Sequence, residues 1–176
     1  MEAAGVLDII KKLSQVAGQF AAPIYQVIFP EYTKLLHEQK TKSLIKLSAT
    51  LSAAILACGI TLVLATNFAF NLINNYAFSN QLLGYKKELI AYLIIQSLAL
   101  CFIWIHPLCI SLGKMKQTAY ILIFSNTVYL ATIYFFAEKY SITAVIFAFT
   151  LQSSTLIAAK VYIIIDSLRA DSKKQH

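Results

Sequence analysis

The chain has little charge, little cysteine and few chain-breaking residues. Only 13% of its 176 residues are charged, about half the share in an average soluble domain. There are five glycines, three prolines, three cysteines and one tryptophan. A soluble domain of this size still exposes much of its surface, and a chain that is 59% hydrophobic would leave that surface sticky. The low charge therefore excludes a soluble globular enzyme, a nucleic-acid module and a disordered tail. The cysteines (Cys58, Cys101 and Cys109) all sit inside apolar runs. An odd number with no metal-ligand spacing excludes a disulfide framework and a zinc site, so they read as small buried hydrophobes. There is no Walker loop, no pair of catalytic carboxylates and no Ser/His/Asp arrangement, so the chain reads as not an enzyme, with no cofactor implied. The opening MEAAGVLDIIKK carries Glu2 and Asp8 where a cleavable signal would be basic.

Long apolar stretches take the place of these features. Mean hydropathy is +0.67. The length accommodates about five spans with short loops, which makes the chain an all-α polytopic membrane protein. Helices are expected at about 5–28, 44–66, 89–112, 117–137 and 142–165. Together they form one transmembrane domain over 1–168, followed by a basic tail, 169–176. Residues 67–85, rich in Asn and aromatics, are expected to form an interfacial outer loop. Gly113 closes the third helix, and Glu138-Lys139-Tyr140-Ser141 forms a hinge before the last.

The first helix is interrupted by polar residues. At about 100° per residue, Asp8, Lys11, Lys12, Gln15, Gln19 and Gln26 fall within one arc of roughly 100°. Two arrangements produce such a stripe. One is an amphipathic helix lying on the membrane with its cations toward headgroups. The other is a spanning helix whose stripe faces a hydrated cavity. The second is favoured, because three of the six residues are neutral glutamines and both lysines lie at one end. Pro23 and Pro30 mark the other end as a place for a kink.

The 15 basic residues outnumber the 8 acidic ones, giving a net charge of +7. With five spans in series, Lys34, Lys40, Lys42, Lys46, Lys114, Lys116, Arg169, Lys173 and Lys174 fall on one side, and Lys86, Lys87 and Lys139 on the other. Basic residues concentrate in cytoplasmic loops, so this bias predicts a cytoplasmic C-terminus and an outside N-terminus. An outside start with no preceding span is natural for a piece of a longer protein.

The run Gln26-Val27-Ile28-Phe29-Pro30-Glu31-Tyr32-Thr33-Lys34-Leu35 resembles a "Q-V-x-F-P-x-x-[ST]-K-L" segment of bacterial polysaccharide and O-antigen flippases, within the multidrug/oligosaccharidyl-lipid/polysaccharide exporter superfamily. The turn Ser111-Leu112-Gly113-Lys114-Met115-Lys116 is similar to that family's "[SA]-L-G-K-x-K". The hinge from Glu138 to Val145 is similar to "x-K-Y-[GS]-x-x-[GA]-A", with Val145 at the final alanine and Ser141 and Ala144 where glycines are often seen. The resemblance runs through nearly the whole chain in order. It implies a partial six-helix bundle of an exporter with two bundles, here about the second to sixth helices of the C-terminal bundle. It also implies a bacterial inner membrane location and a lipid-linked oligosaccharide as cargo. The partners would be membrane lipid and the missing N-terminal bundle or another copy, with no nucleic acid.

Such a cargo has an anionic pyrophosphate and a hydroxyl-rich head. Lys11 and Lys12 suit the pyrophosphate, and Gln15, Gln19 and Gln26 suit the hydroxyls. Intramembrane charges are costly and by default functional; the alternative is that the lysines pair with Asp8 or snorkel outward. His106, before Pro107, is either a proton relay or a kink histidine bonded to a freed carbonyl. Lys160 is expected to snorkel to the inner interface, and Asn126 to join helices. A different class of function remains open: a non-transporting remnant or a small helical membrane partner.

Overall fold

The computed structural model describes Lys12, residues 21–77 and residues 83–173. These are helical, with short turns and no strand among the described residues. Five helices follow in order: α1 (Ala21–His37), α2 (Thr41–Ala77), α3 (Lys86–Leu100), α4 (Ile105–Ser111) and α5 (Met115–Lys173), with a 3-10 turn at Leu83–Tyr85 before α3. Among the described residues, three stretches are long and apolar enough to cross a membrane: Thr41–Asn71, Lys86–Ser111 and Met115–Leu168. Many large apolar side chains are exposed along them, among them Phe68, Ile123, Tyr134 and Phe135.

Two helix ends share one turn geometry. After α1, Gln39 N donates to Leu36 O and Lys40 N to Leu35 O; after α4, Gly113 N donates to Ile110 O and Lys114 N to Cys109 O. Both are Schellman turns, which satisfy the last carbonyls by placing one residue in the left-handed region. Gly113 takes φ 72° and Gln39 takes φ 55°. Glycine occupies such a position without steric cost, whereas Gln39 holds it against a Cβ clash. Glu38, beside Gln39, pairs with Lys40 at 2.8 Å. That contact holds the Glu38 carboxyl below its ordinary range and the Lys40 ammonium above its own, but both are exposed, so the pair contributes little to stability.

The helices depart from the expected boundaries in three places, and one cysteine departs from its expected burial. α1 passes through Pro30 to His37 instead of ending near residue 28; the ring removes one backbone donor, and packing of Ile28, Tyr32 and Leu35 on both sides holds the helix together. α2 continues to Ala77, so the expected outer loop begins as helix. Its FNLINNYA stretch contains neither glycine nor proline, and isolated asparagines weaken a helix without ending it. The expected helix 89–112 is two helices, α3 and α4, separated by a turn over residues 101–104. Pro107 lacks the N–H that would bond Ile103 O, and Ile105 N bonds Phe102 O in a tighter 3-10 step. Cys58, read as buried, is exposed on α2, whereas Cys101 and Cys109 are buried.

α5 contains a non-helical residue, Ser141, at φ 45°, ψ −118°. The break lies inside the expected hinge. Gln152 Nε2 donates to Asn126 Oδ1 at 2.5 Å across 26 residues, which in a straight helix would lie about 39 Å apart. Phe136 and Phe147 rings also meet, at 6.2 Å. The two arms, 115–140 and 142–173, therefore fold back as an antiparallel hairpin about Ser141.

The segment Lys86–Ser111 is the hub, far more buried than Thr41–Asn71 or Met115–Leu168. Two apolar clusters form, at opposite ends. The first joins Ile28, Tyr32, Leu35, Leu44, Ile105, Leu108, Cys109 and Ile164. It lies beside the Glu38–Lys40 and Gly113–Lys114 turns, which Thr33 Oγ1 and Ser111 Oγ link at 3.3 Å. The second joins Phe70, Leu89, Leu93 and Ile142, next to Lys86 and the Ser141 turn. Of the basic residues that the sequence divides between two sides, Lys34, Lys40, Lys42 and Lys114 thus fall at one end of the bundle and Lys86 and Lys139 at the other. Small and hydroxylated residues hold the middle. Gly59 is buried against α3, where a Cβ would lie 2.6 Å from Ser97 Cβ. Such small contacts let helices approach closely where hydrophobic burial gives no drive between them.

Candidate functional site

The break between α3 and α4 frees backbone groups inside the bundle. Ser52 of α2 meets them: its Oγ donates to Cys101 O at 2.7 Å and accepts from Trp104 Nε1 at 2.8 Å. One hydroxyl thus stitches the broken helix to its neighbour. Irregular backbone at membrane depth is tolerated where protein buries it or where it lines a cavity.

Both conditions hold here. Beside the break lies a cavity of about 280 Å³, whose polar lining is Tyr25, Gln96, His106, Gln152, Ser153 and Lys160. It brings together α1, α3, α4 and the second arm of α5. Most buried hydroxyls elsewhere bond the carbonyl one turn back in their own helix, as Ser97, Thr132 and Ser167 do. Tyr25, His106, Gln152 and Lys160 of the cavity make contacts across helices or arms instead. Lys160 is 4% exposed and is the one buried charged side chain among the described residues. Its Nζ lies 3.3 Å from His106 Nδ1. The His106 ring meets Tyr25 edge-on at 5.8 Å, which fixes its plane. Cys109 Sγ approaches Lys160 O at 4.0 Å. Gln96 Oε1 is fully buried without a hydrogen-bond partner.

A second groove, about 460 Å³, lies on the other side of Tyr25 and His106 and is lined also by Gln26, Phe29, Pro107 and Ile110. Of the residues singled out from sequence, Gln26 and His106 meet in this groove. Lys12 is helical and exposed. Lys11, Gln15 and Gln19 lie outside the described residues. Lys160 does not snorkel to an interface; it is held inside by His106, a partner that sequence periodicity on its own helix does not show. His106 bonds this lysine rather than a carbonyl freed by Pro107. Asn126 joins the arms of α5 as expected. Sequence reasoning passed over Gln152 and Ser153, although the spacing of Ser153 and Lys160 by seven residues puts both on one helix face, with Gln152 beside them.

Among the described residues no group of three His, Cys, Asp or Glu side chains is placed to hold a metal ion. What the cavity can do is hold an anion against the lysine while amides and hydroxyls take hydrogen bonds. No protein-family model, curated protein or solved structure matches the chain.

Proposed function

We propose that the chain is part of a membrane exporter resembling flippases that move lipid-linked oligosaccharide for surface polysaccharide biosynthesis by alternating access. The observation that carries this reading is the buried Lys160 in a polar cavity beside a broken helix. Lys160 lies toward one end of its apolar run yet is buried inside the bundle, and a charge held inside a membrane bundle is by default a functional candidate. The discontinuity at residues 101–104 supports the same reading, since transporter sites are commonly built at broken helices. In this reading the arms of α5 are separate spans, and α3 with α4 forms another. With α2 and a span around the polar stripe, the count is about five. The end bearing Lys34, Lys40, Lys42, Lys114 and Lys116 is the cytoplasmic one in a bacterial inner membrane. Lys11, Lys12, Gln15, Gln19 and Gln26 line the path of the cargo, and the missing bundle or another copy supplies the opposite wall.

A second reading is a non-transporting helical partner protein. The cavity volume of about 280 Å³ favours it, because typical small-molecule sites begin near 300 Å³ and an oligosaccharide head is larger. Deleting the gene in the source cell and staining surface polysaccharide separates the two. The transport reading expects loss of polymer, restored by the wild-type gene and not by Lys160→Met or the pair Lys11→Ala and Lys12→Ala. Normal polymer in the deletion strain would defeat it.

A further inference from the structure

The contact between Lys160 and His106 constrains how many protons the two can hold. Nδ1 accepts from the ammonium only when it carries no proton, or donates to Nζ only when the lysine is a neutral amine. A charged ammonium and a fully protonated imidazolium would aim donor at donor across 3.3 Å. In this geometry the pair therefore carries at most one positive charge. No carboxylate among the described residues lines the cavity to relieve a second. The groups facing the pair are Tyr25 from α1, Gln96 from α3, Cys109 from α4, and Gln152 and Ser153 from α5, all neutral near pH 7.

We propose that Lys160 and His106 form a proton-linked anion site: empty, the pair holds one positive charge, and a phosphate-type diester anion binds together with one proton. The anion bridges Nζ and Nδ1, so both become donors to its oxygens. The proton comes from bulk water, adds to Nδ1 and returns when the anion leaves; no other bond changes. The inference rests on the exporter reading for the lipid-linked nature of the anion, and not for the proton linkage itself. Its consequence is that release of the anion toward the less acidic side is favoured, because the site gives up its proton there.

The test uses the full chain in detergent, with sulfate as a probe that does not titrate near neutrality. Linkage requires the sulfate Kd to rise about tenfold per pH unit over the range in which the proton is taken up. In His106→Gln the Kd becomes independent of pH, and in Lys160→Met sulfate binding is lost, whereas Lys160→Arg retains it. A flat Kd in the wild type, or binding unchanged in Lys160→Met, overturns the proposal. If Lys160→Met does not fold, the contrast between wild type and His106→Gln decides. A dialkyl pyrophosphate ester forms the second arm. Binding at least about tenfold tighter than sulfate, with the same pH slope, supports both the site and the lipid-linked cargo, a gain of ~1.4 kcal/mol. Equal affinities with the slope intact support the site and defeat the lipid-linked reading.

Discussion

Replacing Ser52 with alanine removes one oxygen that serves two partners. The hydroxyl donates to Cys101 O at 2.7 Å and accepts from Trp104 Nε1 at 2.8 Å. Hydrogen bonds between membrane helices average about 0.6 kcal/mol and reach about 1.7, so the two together are worth ~1–3 kcal/mol. Alanine returns up to ~0.5 kcal/mol through its better helix propensity. The net expectation is a loss of about 0.5–3 kcal/mol. Trp104 is the single tryptophan in the chain, so its emission reports both unfolding and the state of the stitch. Unfolding is followed by that emission in mixed micelles with increasing fractions of denaturing detergent. Ser52→Ala should unfold earlier and shift the native emission, whereas Ser52→Thr, which keeps the hydroxyl, should stay near wild type. A Ser52→Ala protein within about 0.3 kcal/mol of wild type, with unchanged emission, would refute the view that this hydroxyl holds the broken helix, because that difference is smaller than one average bond.

Four further substitutions address other parts of the fold. Gly59→Val places a branched side chain where even a Cβ would lie 2.6 Å from Ser97 Cβ; a loss of about 1–3 kcal/mol is expected in the same assay, partly recovered by adding Ser97→Gly. Gln39→Gly relieves a left-handed residue and should stabilise by about 0.5–1 kcal/mol, whereas Gly113→Ala, at φ 72°, should destabilise by a similar amount. Opposite signs at these two matching turns are the check. Ser141→Gly should stabilise by roughly 1 kcal/mol, since a non-glycine residue at φ 45°, ψ −118° carries strain of about 1–3 kcal/mol. A Ser141→Gly protein that unfolds earlier than wild type would show that the hinge is held by side-chain contacts of Ser141 instead.

The sequence made the ends of the bundle legible and its middle obscure. The hinge at Glu138–Ser141 stands out because charge interrupts an apolar run, and Gly113 stands out because only a turn requires it. The class of the protein follows from composition, and the two groups of basic loop residues foretell which turns share an end. The extension of α2 to Ala77 is hidden because asparagine reads as loop, although nothing in that stretch stops a helix. The α3–α4 break is hidden because apolar character continues unbroken through Cys101–Trp104, and backbone hydrogen bonding leaves no trace in hydropathy. Lys160 shows the limit most clearly. Its position near a helix end invites snorkelling, and only the approach of α4 across 54 residues of sequence brings His106 to it. A site assembled from side chains of four helices has no local motif.

The hairpin of α5 has a bearing on how the chain enters a membrane. Asn126 and Gln152 each sit near the middle of an apolar arm, where a lone amide in hydrocarbon costs several kcal/mol. Because Ser141 turns the chain back at once, each amide meets the other after closing a loop of only 26 residues, an inexpensive closure. The two arms can therefore leave the insertion machinery as a pair, with these two amides already matched. Separated by a long loop, the same two segments would each face lipid with an unmet amide and would have to find one another by diffusion in the bilayer.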